Sequence, residues 1–270
     1  MPHALTRLAA SFADAIWPAR CALCGGEDQG DGLGCAEHRF ETGLPGPRCG
    51  RCAASISAAL PDGERCPACR ARGPGFARVV ALGAYRAAAN AEWLLALKYG
   101  GRADLAEPLG ALLAARLDLE LGRGSAPYPD GGSARVVEAT AERHAKEHAV
   151  RRVLVPVPLH AARRIERGYD QAWLLARAAA LESGLPALRV LRRVRATPVQ
   201  GALGTASRAS NVRGAFAPAL RARWSRRSLA GADAWLVDDV LTSGSTAAEC
   251  ARILRRLGAR RVSVLCVARP

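Results

Sequence analysis

Seven of the chain's nine cysteines fall between Cys21 and Cys69, and their spacing is regular. They read CALC (21–24), CAEH (35–38, closed by a histidine), CGRC (49–52) and CPAC (66–69). A gap of two residues lets both side chains of a tight turn reach one tetrahedral metal ion. Four such pairs make two sites: Cys21, Cys24, Cys35 and His38, then Cys49, Cys52, Cys66 and Cys69. Gly25, Gly26 and Gly50 fit tight turns in or just after these pairs. Disulfides are the alternative, but the count of seven is odd and a secretion signal is lacking. If Cys35 and His38 are ordinary residues, only one metal binds. Four protein ligands leave no open position for a substrate, so one or two zinc ions would be structural. A stretch of roughly 50 residues rich in Gly and Pro buries too little core to fold without them. Cys250 and Cys266 sit in apolar runs and read as core residues.

The segment before the first cysteine, residues 1–20, places Leu5, Leu8, Ala9, Phe12 and Ile16 on one helical face and ends at Pro18. Asp14 interrupts what would be the apolar centre of a signal peptide, which points to a cytoplasmic protein. No apolar run reaches the roughly 18 residues of a membrane span.

Charge divides the chain differently. The formal net charge is +15. Residues 1–150 hold 17 basic and 17 acidic side chains, whereas residues 151–270 hold 22 Arg and 7 acidic ones. A basic half suits phosphorylated metabolites or nucleic acid. Arg outnumbers Lys 37 to 2, which also fits a genomic bias, but such a bias does not thin out the carboxylates.

Beyond the cysteines the pattern is that of an α/β domain over residues 73–270. FARVVALGAYR (76–86) is β-rich, AEWLLALKYGG (91–101) and DLAEPLGALLAARLDLEL (104–121) are helical, and Gly100-Gly101 stops the first helix. Residues 122–152 read as an insert or loop, with a polar helix over 138–152; His144 and His148 there share a face, most simply a solvated one. VLVPVP (153–158), LRVLRRV (188–194), AWLVDDV (234–240) and RRVSVLCVA (260–268) read as strands. DQAWLLARAAALESG (170–184) and STAAECARILRRLG (245–258) read as helices. Apolar runs without strict alternation predict strands covered on both faces, hence a parallel sheet. Ligands of such sheets bind beyond the carboxyl ends of the strands.

WLVDDV delivers Asp238 and Asp239 to that edge. Leu241, Thr242, Ser243, Gly244, Ser245 and Thr246 follow, then a helix. Small residues let backbone N–H groups turn inward, and the new helix adds its unpaired N–H groups, so the loop suits a phosphate. The residue after the glycine is not Lys and an earlier glycine is missing, so this is not an ATP-type phosphate loop. Carboxylates suit sugar hydroxyls or Mg²⁺. Phosphate at one end and vicinal hydroxyls at the other describe a ribose 5-phosphate.

LVDDVLTSGST resembles the signature of type I phosphoribosyltransferases, which bind 5-phosphoribosyl-1-pyrophosphate (PRPP). More narrowly, the chain resembles the ComF family of competence and GntX-like proteins. The resemblance spans the cysteine-rich head (21–72), LKYGG (97–101), VPVPLHAARRIERGYDQA (155–172), RATPVQGALGTASRASNVRGAF (195–216) and the acidic loop. Asp170 departs from the Asn usual there, and the 122–152 segment is longer than expected. The resemblance implies a type I phosphoribosyltransferase-like parallel sheet with flanking helices, preceded by a small double zinc-ribbon-like domain. It implies PRPP and Mg²⁺ as ligands, and catalytic roles for Asp238 and Asp239 on the ribose hydroxyls. It implies residues 241–246 as the 5-phosphate loop and Arg163, Arg164 and Arg167 as pyrophosphate ligands. Gln200, Arg208 and Asn211 would belong to a mobile lid. Single-stranded DNA and DNA-uptake or recombination-mediator proteins are the further candidate partners, and a non-catalytic DNA-binding adaptor is the alternative reading.

Overall fold

A computed structural model describes residues 20–28, 33–71, 73–123, 150–195, 212–220, 227 and 229–270. The expected helix of residues 1–20 lies almost wholly outside the described residues. So do most of the 122–152 segment, with His144 and His148, and the lid candidates Gln200, Arg208 and Asn211.

A short helix α1 (Pro67–Ala71) carries the last cysteine pair. Then come β1 (Val79–Ala84), α2 (Ala88–Tyr99), α3 (Ala106–Glu120) and β2 (Arg152–Pro156). They are followed by α4 (Ala161–Arg167), α5 (Gln171–Ser183), β3 (Leu191–Arg193), β4 (Phe216–Pro218), β5 (Asp233–Val240), α6 (Ser245–Arg256) and β6 (Arg261–Arg269). The main sheet has the order β1-β6-β5-β2 and all three pairings are parallel.

β5 and β6 are central, and both read as nearly unbroken apolar runs because both of their faces are covered. Leu236, Val262, Val264 and Cys266 pack with Ala247, Cys250, Ala251 and Leu254 of α6 on one face. Val237, Leu265 and Val267 pack with Trp93, Leu97, Leu109, Leu113 and Leu175 from α2, α3 and α5 on the other. Cys250 and Cys266 are core residues, as their apolar settings predict.

LRVLRRV departs from expectation. Only Leu191–Arg193 is a strand, and it pairs antiparallel with β4 in a separate two-stranded sheet. The reason is charge: Arg189, Arg192 and Arg193 leave too few apolar side chains to cover both faces of a strand in the main sheet. The chain touches the outer side of β2 briefly, through Leu154 N–H to Pro186 O (2.9 Å) and Leu188 N–H to Leu154 O (2.8 Å), before it diverges.

The cysteine-rich head sits against this sheet. Gly43 N–H donates to Leu82 O (2.6 Å) on the outer side of β1. Gly83 permits the approach, since a Cβ there would collide with Glu41 O and the Asn90 amide. Asn90 is fully buried and its amide bonds both Glu41 O (2.8 Å) and Ala84 O (3.0 Å). Among the described residues, no helix is long and apolar enough to cross a membrane.

Candidate functional site

Successive strand side chains point to opposite faces. The acidic pair at the end of β5 is therefore split. Asp239 turns toward α2 and α5 and is buried. Its Oδ1 lies 3.3 Å from Lys98 Nζ and accepts the Val240 N–H at 2.6 Å. Its Oδ2 accepts from Gln171 Nε2 at 3.1 Å. Asp238 is half-buried on the α6 side, paired in register with Cys266, and its Oδ1 accepts the Asp239 N–H at 3.0 Å. Burial, and then the neighbouring Asp239 carboxylate, push Asp238 up to about 8.

The chain then turns sharply. Leu241 is buried, and its N–H bonds Ala268 O at 3.1 Å. Thr242 and Ser243 are exposed. Gly244 adopts φ +78° as the N-cap of α6, and a Cβ there would press on the Phe76 ring at 3.3 Å. Ser243 and Ser245 hydroxyls meet at 3.0 Å. The first-turn N–H groups of α6 have no intrahelical acceptors, and the helix dipole adds positive potential there. The residues proposed for phosphate thus lie together, with Leu241 contributing to the core rather than to the rim.

β2 is the parallel neighbour of β5, so its following loop and α4 emerge at the same edge. His160 caps α4 by accepting Ala162 N–H at 3.3 Å, and Gly168 closes it at φ +78°. Arg164 lines a cavity of about 210 Å³ with Asp170, Arg189, Arg192 and Arg193. Burial, and then the Arg163 charge, depress Arg193. Arg167 instead stacks on the Tyr99 ring, 4.8 Å from its centroid. Asp170 caps α5 through Trp173 N–H (3.2 Å) and pairs with Arg189 (3.1 Å), so its carboxylate serves both the helix start and an ion pair.

Three distant motifs therefore converge. Tyr169 of RGYDQ donates to Leu97 O of LKYGG at 2.6 Å, Arg167 stacks on Tyr99, and Gln171 and Lys98 together hold Asp239. Lys98 and Gln171 were not foreseen as site residues. One signal was available: Lys98 is one of only two lysines beside 37 arginines.

The cysteine groups assemble as paired. The donor atoms of Cys21, Cys24, Cys35 and His38 lie within 4.8 Å of one another, and so do those of Cys49, Cys52, Cys66 and Cys69. Cys24 and Cys35 sulfurs are 3.7 Å apart, as are those of Cys52 and Cys66. A tetrahedron with Zn–S of about 2.3 Å requires sulfurs about 3.8 Å apart, whereas a disulfide requires about 2.05 Å. The donor sets and spacing fit zinc at both places. His38 Nδ1 faces Cys35 Sγ at 3.2 Å while Nε2 faces Glu92 at 3.4 Å, the carboxylate–imidazole arrangement that orients a metal-binding histidine. Burial raises the Cys49 thiol, but N–H groups of Cys52, Cys66 and Arg51 outweigh it and bring it to about 6.

One buried side chain joins the second group to the turn after β5. Arg269, at the end of β6, donates to Cys52 O (3.0 Å), Leu241 O (2.6 Å) and Thr242 O.

No family model matches the chain. Among solved structures, it is similar to the allosteric regulatory enzyme of purine biosynthesis, with a TM-score of 0.35 and 20% identity over 64% of this chain and 30% of that one. It is also similar to a glutamine phosphoribosylpyrophosphate amidotransferase from B. subtilis, with a TM-score of 0.34 and 18% identity over 63% of this chain and 30% of that one. Among curated proteins, it is 36% identical over 117 residues to competence protein F of Haemophilus influenzae, covering 43% of this chain and 49% of that one. That match spans about half of the relative's length. It is 30% identical over 226 residues to DNA utilization protein YhgH of Salmonella typhi, covering 83% of each chain. The chain thus belongs to the family of competence protein F and DNA utilization protein YhgH.

Proposed function

We propose that the chain binds PRPP with Mg²⁺ as a phosphoribosyltransferase-like protein, transfers the phosphoribosyl group to an acceptor, and serves DNA uptake. The observation that carries this reading is the shared edge. Asp238 and Asp239 end a central strand, the Thr242–Thr246 turn follows, and the arginines of α4 emerge from the parallel neighbour. A ribose between these elements meets carboxylates at its hydroxyls, N–H groups at its 5-phosphate and guanidiniums at its diphosphate. Lys98 and Gln171 hold Asp239 in place for that contact. Asp238 and Asp239 are hard oxygen donors, which suits Mg²⁺, and Mg²⁺ would neutralise charge on the diphosphate. Departure of diphosphate leaves cationic character at the ribose carbon, and fixed charges of this kind supply on the order of 3 kcal/mol per contact. The two cysteine groups hold structural zinc in this reading.

Calorimetric titration tests it. PRPP binding should require Mg²⁺ and vanish in Asp238→Asn/Asp239→Asn. A wild-type protein that takes up no PRPP refutes the reading, and pyrophosphate release on adding acceptors separates a transferase from a binding protein.

The charge distribution favours a second reading, an adaptor that binds single-stranded DNA. All of the +15 lies in residues 151–270. Anisotropy titrations would then show log affinity falling with log salt, at about −0.7 per phosphate contacted. Salt-independent binding counts against it.

A further inference from the structure

A cavity of about 810 Å³ opens between the cysteine-rich head and the carboxyl edge of the sheet, beside the phosphate loop. Arg48 lines it from the head. Arg86 lines it just after β1, and Arg269 at the end of β6. Because β1 and β6 are parallel neighbours with Ala84 opposite Arg269, these last two guanidinium-bearing residues leave adjacent strands at one edge. Ser55, Thr242 and Ser243 add hydroxyls, and no Asp or Glu is among the lining residues.

Among the described residues, Arg48 and Arg269 bond backbone carbonyls. Arg48 donates to Pro45 O (3.0 Å) and Pro270 O (3.3 Å), and Asp62 reaches only its backbone N–H. Arg269 donates to three backbone carbonyls. Among the described residues no carboxylate side chain pairs with Arg48, Arg86 or Arg269. A terminal carboxylate on Pro270 would cancel one of the three charges. Burial, and then the Arg269 charge, depress Arg48, so an anion here relieves repulsion that the free protein carries. Guanidiniums pair with phosphate oxygens in bidentate fashion, and the volume falls within the roughly 300–1,000 Å³ typical of small-molecule sites.

We propose that this cavity binds a phosphate-bearing small molecule. Its place next to PRPP rests on the phosphoribosyl reading; the anion site does not. The head then forms one wall of a ligand site as well as a structural unit.

Adenosine 5′-monophosphate (AMP) is a suitable probe, titrated calorimetrically into the full zinc-loaded chain with and without saturating PRPP and Mg²⁺. One AMP should bind in the presence of PRPP. Arg86→Gln, at an exposed residue, should weaken AMP about tenfold or more while leaving PRPP affinity unchanged. Arg48→Gln should act in the same direction. Full competition between AMP and PRPP overturns the proposal, as does AMP affinity insensitive to both substitutions. Uptake of a 5′-phosphorylated oligonucleotide without uptake of AMP overturns the small-molecule assignment. Arg86-dependent AMP binding in a protein that ignores PRPP keeps the anion site and removes the phosphoribosyl reading.

Discussion

At the scale of single residues, the two aspartates differ in their environments rather than in their type. Asp239 has a cation and an amide within reach, whereas burial and a like charge hold Asp238 up to about 8. In the unfolded chain a carboxyl of this kind titrates near 3.8. The folded form therefore binds the extra proton, and this group's stabilising contribution is full below about pH 4 and is lost as pH rises through about 8. Urea denaturation between pH 5 and 9 should show that decline, and Asp238→Asn should flatten it. Hydroxyl donors and a cation favour the ionised form, so PRPP binding near pH 7 should release a proton, readable from calorimetry in buffers of different ionisation enthalpy. Lys98→Met leaves the buried Asp239 without its cation. It should destabilise by on the order of 3 kcal/mol, and adding Asp239→Asn should restore part of the loss. Chemical denaturation of the single and double variants provides the cycle.

At the scale of elements, β2, β5, β6, α5 and α6 were legible because long apolar runs and terminal glycines mark them locally. The cysteine pairs were legible because ligand spacing is itself local. What the sequence did not show is side-chain partnership over distance: Gln171 and Asp239 are 68 positions apart. No periodicity announces that contact, and only the parallel pairing of β2 with β5 brings it about. The displacement of β3 from the main sheet was likewise a tertiary choice, set by arginines that had to reach solvent or the site. Packing between helices makes its own demand. A Cβ at Gly110 of α3 would collide with Ala178 of α5 and approach the Ala179 N at 3.0 Å. Gly110→Ala should therefore cost about 1–3 kcal/mol by overpacking, despite alanine's better helix propensity. Because α5 begins at Gln171, the same variant should also weaken PRPP binding, measured by calorimetry.

At the scale of the whole molecule, the head and the sheet share a core. Cys49, Cys52, Cys69 and Phe76 belong to the same apolar cluster as Leu236, Val264 and Cys250. Phe40 packs edge-on against Trp93, with centroids 6.1 Å apart. Zinc removal should thus lower the thermal midpoint of the whole chain in one transition instead of melting the head alone, and scanning calorimetry with and without a zinc-selective chelator tests this. The position of Arg269 has a consequence for any attempt to divide the protein. Residue 72 looks like a natural place to cut, but Arg269 takes one of its three acceptors, Cys52 O, from the near side of that cut. A fragment starting at residue 73 would keep every residue of the turn after β5 and lose the anchor that fixes the guanidinium beneath it. Its failure to bind ligand would then speak to a missing strut, not to missing chemistry.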